Sequence, residues 1–205
     1  MKQKNYLFIA LFASFLIFDI NSTNILRTNR AIDLRLDMRK LWEDHIVWTR
    51  NVIISAIANL ADLGPVTQRL LQNQEDIANA TKPYFGRKFA EKLRKLLREH
   101  ILIAADIIAD AIAGNIQQFN LDYEEWRRNA RDIAEFLSDN NPEWSRRKIK
   151  RMLYEHLDLT AKEVSSRLQA NWEGDIQAYD ENHIHMLEFA DILSRGIVKN
   201  FRKKF

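Results

Sequence analysis

Four histidines, His45, His100, His156 and His185, fall where helical spacing calls for an apolar side chain, within stripes such as Leu93, Leu96, His100, Ile103 and Ile107. An imidazole taken out of water is costly unless its nitrogens find partners. Two stretches of the form Asn-x-x-Asp-Ile-Ala, Asn73 to Ala78 and Asn129 to Ala134, add an amide and a carboxylate three positions apart, hence on one helix face. Two imidazoles and one carboxylate make the ligand list of a non-haem iron site, and they also suit zinc or manganese. The expected ligands are therefore His45, Asp76 and His100 in one set and His156, Asp132 and His185 in the other, with iron or zinc as the metal. Asn73, Asn129, Glu99, Glu155, Arg50 and Asp180 are expected around them as orienting partners. The Glu-x-x-His pairs of ferritin-like di-iron bundles are absent.

Two other readings use the same residues. In one, the histidines donate to Asn or Asp on neighbouring helices and form a metal-free polar layer that fixes helix register in a structural or interaction protein. In the other, Arg50 clamps the carboxylate or phosphate of an anionic small-molecule substrate.

The elements that must hold these residues are helices. Five glycines and three prolines in 205 residues leave few tight turns, and no stretch alternates as a strand would. The periodicity predicts helices over about 30–63, stopped by Gly64 and Pro65, then 66–81, 87–113, 121–138, one capped by Asn141 with Pro142 in its first turn, and 175–201. The shared Asn-x-x-Asp-Ile-Ala stretches, and Leu97-x-x-His100 beside Leu153-x-x-His156, suggest an internal duplication. The expected fold is all-α: an up-and-down helical bundle with a first unit at 25–114 and a second at 115–205, packed as one body.

Composition narrows the function. With 46% hydrophobic residues the chain can bury a sizeable core, and 29% charged residues of mixed sign read as solvated helix faces. The pI is near 9.1, but the net charge is only +3 and no arginines interleave with aromatics, which argues against nucleic acid as a partner. Without cysteine there are no disulfides, thiolate metal sites or cysteine nucleophiles. Gly-rich phosphate loops, Gly-x-Ser-x-Gly elbows and His-Glu-x-x-His pairs are missing too. A homo-oligomer remains open.

Lys2 and Lys4 precede an apolar run from Tyr6 to Phe18 and a polar stretch, the outline of a signal peptide or N-terminal anchor over residues 1–24. The expected location is exported or membrane-anchored, with membrane contact only through that segment, and otherwise cytoplasmic.

The stretches Leu41-Trp42-Glu43-Asp44-His45-Ile46-Val47-Trp48-Thr49-Arg50, Asn73-x-x-Asp-Ile-Ala, and Tyr179-Asp180 followed by His185 resemble a family of roughly 200-residue helical proteins of spore-forming Firmicutes, over most of residues 30–201. The Glu43-x-His45-x-x-Trp48 pattern is similar, more faintly, to duplicated helical-bundle metalloproteins of bacilli, and that likeness implies a metal.

Overall fold

The computed structural model describes residues 5–205, with side chains from Asn29 onward. The chain forms six α-helices: α1 Asn5–Ile57, α2 Leu63–Phe85, α3 Arg87–Ala113, α4 Ile116–Asn140, α5 Arg146–Leu168 and α6 Trp172–Asn200. A 3-10 turn, Arg202–Lys204, follows. No strand occurs among the described residues, so the all-α bundle is as expected. The signal-peptide or anchor expectation falls on residues 1–24, outside the described side chains; among described residues no helix is long and apolar enough to cross a membrane.

Helix boundaries follow local chemistry. Asn115, Ser145 and Asn171 each accept a backbone N–H of the following helix through the side chain, at 3.3, 3.4 and 3.1 Å, and so start α4, α5 and α6. Gly86 alone separates α2 from α3, at φ 83°, a conformation that other residues rarely adopt.

Several expected boundaries move: α1, α4 and α6 begin earlier, at Asn5, Ile116 and Trp172, and three further shifts have a local cause. Helix α1 ends at Ile57, where Asn59 takes the left-handed exit at φ 51°. Gly64 and Pro65 instead lie in the first turn of α2, where N–H groups have no intrahelical partner and proline costs little. Helix α2 runs through Pro83 to Phe85 rather than stopping at Thr81. Asn141 does not cap α5: its Oδ1 accepts the Glu143 N–H at 3.0 Å in a turn that drops Trp144 into the core, and the helix starts one turn later.

Each helix packs on its neighbours in sequence, and α6 closes on α1, giving a six-membered ring. Helices α1, α3 and α5 also touch one another, which places them inside, running parallel, with α2, α4 and α6 outside. The unit of the ring is thus the helical hairpin, α1–α2, α3–α4 and α5–α6. Two apolar cores fill it. The larger includes Met38, Trp42, Ile77, Leu93, Ile133 and Leu193, and the smaller includes Val52, Ile53, Leu70, Ile101, Ile108 and Val164.

One contact in the larger core is tight enough to forecast. Trp144 donates Nε1–H to the Leu193 carbonyl at 3.2 Å, with the pyrrole side of its indole close against Gly196 of α6. A Cβ at position 196 would stand 2.0 Å from that indole nitrogen. Gly196→Ala must displace a buried tryptophan and break its hydrogen bond, at a cost of about 3 kcal/mol. A urea denaturation midpoint within error of the parent would contradict this packing.

Candidate metal centre

Each inner helix brings one histidine to the bundle axis: His45 from α1, His100 from α3 and His156 from α5, exposed by 4%, 4% and 2%. Their ring centroids form a near-equilateral triangle with sides of 6.4, 5.7 and 5.8 Å, and one nitrogen from each ring lies within 4.8 Å of the others.

The outer helices hold the rings. Asn129 of α4 donates its Nδ2–H to the Leu96 carbonyl at 3.0 Å, which leaves Oδ1 as the acceptor facing His100 Nδ1 at 3.0 Å. His100 therefore carries its proton on Nδ1 and keeps the Nε2 lone pair free. Asn182 of α6 does the same for His156, at 2.9 Å, with its own Nδ2–H given to Thr160 Oγ1 at 3.0 Å. Asn73 of α2 takes the corresponding place beside His45 and donates to the Leu41 carbonyl at 2.9 Å. There the match is looser: Asn73 Oδ1 favours the protonated His45 ring, yet neither it nor His45 Nδ1 completes a hydrogen bond of good geometry. Further support comes from Trp126, which lies against His100 at 5.2 Å and donates Nε1–H to its carbonyl, and from Thr49 and Thr160, which donate to the His45 and His156 carbonyls at 2.7 and 2.8 Å.

Burial keeps all three imidazoles neutral. It lowers His45 to about 4; burial and then the neighbouring His45 lower His100 to about 3; burial, His45 and His100 hold His156 well below its ordinary value. Beside the rings lies a cavity of ≈ 20 Å³, walled by residues that include Thr49, Val52, Leu70, Ile101 and Thr160. That is room for a single water-sized guest.

The other expected ligands lie elsewhere. Asp76 sits on the outer flank of α2, accepting from Gln72 at 3.1 Å with Arg69 at 3.9 Å, and Asp132 is exposed on α4. Three residues after an Asn is 300° around a helix, so an aspartate there points some 60° off the axis-facing direction, too far for a short side chain. His185 donates Nε2–H to the Met152 carbonyl at 2.8 Å, with its Nδ1 3.8 Å from Glu155, and is spent on packing α6 against α5. Among described residues no carboxylate joins the three rings.

Of the expected orienting residues, Asn73 and Asn129 stand behind the rings and Glu99 accepts from Asn129 Nδ2 at 3.3 Å, whereas Asp180 is exposed and Glu155 lies at the rim. Arg50 is committed to two carboxylates. It donates to Glu163 at 2.8 Å and grips Asp175 with both terminal nitrogens, while Arg167 donates to Asp175 at 2.8 Å. This buried network leaves no free clamp for an anionic substrate.

Family models, curated proteins and solved structures return no match to this chain. Sequence reasoning passed over Glu163; it placed Asn182, Thr49 and Thr160 on inward stripes without giving them a part in the centre, and it expected Asp175 to cap or line the polar centre, whereas Asp175 belongs to the Arg50 network. One signal was available for Asn182: it follows His156 by 26 residues, much as Asn129 follows His100 by 29 and Asn73 follows His45 by 28.

The neutral histidines give metal-free protein a defined response to acid. A folded-state pKa below the unfolded value of about 6.5 means that the unfolded chain takes up these protons first, so stability is full above that pH and falls as the pH drops. Glu163, which burial pushes up to about 7 against the pull of Arg50, binds its proton more tightly when folded and opposes the trend by one proton. Three protons against one leave a net loss of roughly 3 kcal/mol per pH unit between pH 6 and 5. Urea midpoints of chelator-treated protein at pH 7, 6 and 5 measure that slope; a flat profile would mean that the rings are not buried neutral.

Proposed function

We propose that this protein binds one divalent transition-metal ion, zinc in the first place, between His45, His100 and His156. The observation that carries the reading is that three buried rings each bring one nitrogen within 4.8 Å of the others, while asparagines take Nδ1 of His100 and His156 and leave Nε2 of those rings free. Carboxylate, amide or carbonyl groups accepting the far N–H of a metal-bound imidazole are the usual outer support of such sites. An all-imidazole set with no carboxylate suits zinc better than non-haem iron, which favours two histidines and a carboxylate. Zinc at about 2.0–2.1 Å from each nitrogen would hold them about 3.3 Å apart, so the rings must close inward on the ion. The ≈ 20 Å³ cavity beside the rings would give a fourth ligand, such as water, its room. An ion held by three neutral ligands there would acidify a bound water.

A metal-free register layer is the competing reading, favoured by the fact that the asparagines already satisfy two of the three Nδ1 atoms. Elemental analysis of protein purified without an affinity metal separates the two. About one equivalent of metal per chain, lost in His100→Ala and His156→Ala but kept in His185→Ala, supports the site. No stoichiometric metal after reconstitution leaves the register layer.

A further inference from the structure

The bundle is electrically polarised along its axis. The histidine–asparagine layer divides it into two halves. The half in which α1 begins its packing comprises residues 29–44, 74–99, 130–155 and 183–205, and carries 22 Lys and Arg against 15 Asp and Glu, a balance of +7. The other half comprises 46–72, 101–128 and 157–181, and carries 6 against 12, a balance of −6. The cations crowd toward the end face. Contacts there bring together Arg30 with the Lys204 carbonyl, Lys204 with Pro83, and Tyr84 stacked on Phe205. Around them Lys82, Arg87, Lys88, Arg147, Lys148 and Lys203 are all exposed. Two acids on this face are engaged, Asp139 with Arg146 and Glu143 with Lys199.

Apolar groups accompany this charge. Ile32 and Leu36 are 49% and 58% exposed on α1, and a groove of ≈ 310 Å³ between α1 and α6 has Ile32 and Val198 in its walls with Arg195 and Lys199 at its rim. The chain upstream of Asn29 leaves from the same end, and in sequence it holds Lys2, Lys4, Arg27 and the apolar run Tyr6 to Phe18.

We infer that this end is a docking face for an anionic lipid surface, onto which the bundle settles with its axis upright and its acidic end outward. Exposed lysines and arginines near a bilayer gain from its negative potential, and adjoining apolar residues enter the headgroup boundary; two such signals together hold where one is marginal. The acidic opposite end adds orientation, since anionic lipid repels it. Nucleic acid fits less well, because a polyanion would leave the adjoining exposed Ile32 and Leu36 uncovered, whereas a headgroup boundary takes them in.

The test is co-sedimentation of the full chain with vesicles of phosphatidylcholine alone or with phosphatidylglycerol added. Binding is expected on the anionic vesicles, weakened by salt within the range where the Debye length falls below about 10 Å. Neutralising four end-face cations that make no core contact, in K88Q/R147Q/K148Q/K203Q, is expected to lower that binding about 100-fold or more, whereas the opposite-end control E124Q/E125Q/E173Q keeps it. Circular dichroism of both variants should match the parent. Equal binding to both vesicle types, unchanged binding by the quadruple variant, no vesicle binding, or tighter binding to nucleic acid at the same salt would each overturn the inference.

Discussion

Zinc added to chelator-treated protein is expected to raise the melting temperature by about 10 °C. A ligand bound only by the folded state stabilises it by about 4 kcal/mol at a thousandfold excess over its dissociation constant, and in a chain of this size each kcal/mol moves the midpoint by about 2–4 °C. The folded chain has the advantage, because the three histidines lie 55 and 56 residues apart in sequence and only the ring brings them together. Replacement of His156 by alanine should abolish the shift. In the absence of metal the same substitution should cost about as much as an ordinary core truncation, because it empties a buried site and leaves Asn182 Oδ1 without its donor. A titration that leaves the parent's melting curve unmoved, read by differential scanning calorimetry, would remove the metal from the account.

The second large effect belongs to the buried ion network. Arg50→Met leaves Glu163, 2% exposed, without its hydrogen-bond partner, and Asp175, 1% exposed, with Arg167 alone. Breaking a buried pair by deleting one partner costs about 3–5 kcal/mol, so the melting temperature should fall by roughly 6–20 °C. Burial opposes the charge on Arg50, but Asp175 and Glu163 outweigh it and raise its pKa, so the guanidinium stays ionised at every pH of interest. Glu163 differs. With its carboxyl held near 7 by burial, Glu163→Gln changes little at neutral pH. The double variant Arg50→Met, Glu163→Leu should recover only the share of the loss that comes from Glu163, since Asp175 still has Arg167 alone. If the single variant melts with the parent, the network is not buried as described.

Much of the architecture could be read before any coordinates. Scarce glycine and proline and a persistent 3.6-residue period gave six helices, and every histidine placed on a stripe is buried or nearly so. The shifted boundaries share one cause: a residue with strong local preferences was held by something local periodicity does not contain. Asn141 turned to the Glu143 amide because Trp144 needed the core, and Pro65 found a place inside α2 because a first turn tolerates it. The grouping of the histidines was hidden for a different reason. Which helices lie inside a ring is a tertiary fact, set by contacts among α1, α3 and α5 that no spacing along the chain encodes. Adjacent sequence similarity therefore favoured two sets of ligands, where the structure gathers one histidine from each hairpin. Asn182, though on an inward stripe, was not matched with Asn73 and Asn129 because Asn182 to Leu187 does not carry the Asp-Ile-Ala that follows the other two asparagines.

The closed ring also sets an order of events during synthesis. Its seam joins residues as distant as Arg35 and Asp191, 156 positions apart, so closure belongs to the slow, late part of folding. A growing chain emerges from the ribosome with its first hairpins able to pair, yet the third imidazole follows only with α5 and its asparagine prop only with α6. A nascent or truncated polypeptide that stops before Asn182 would hold no complete trap. On the proposed reading, metal capture would wait until α6 has joined the ring.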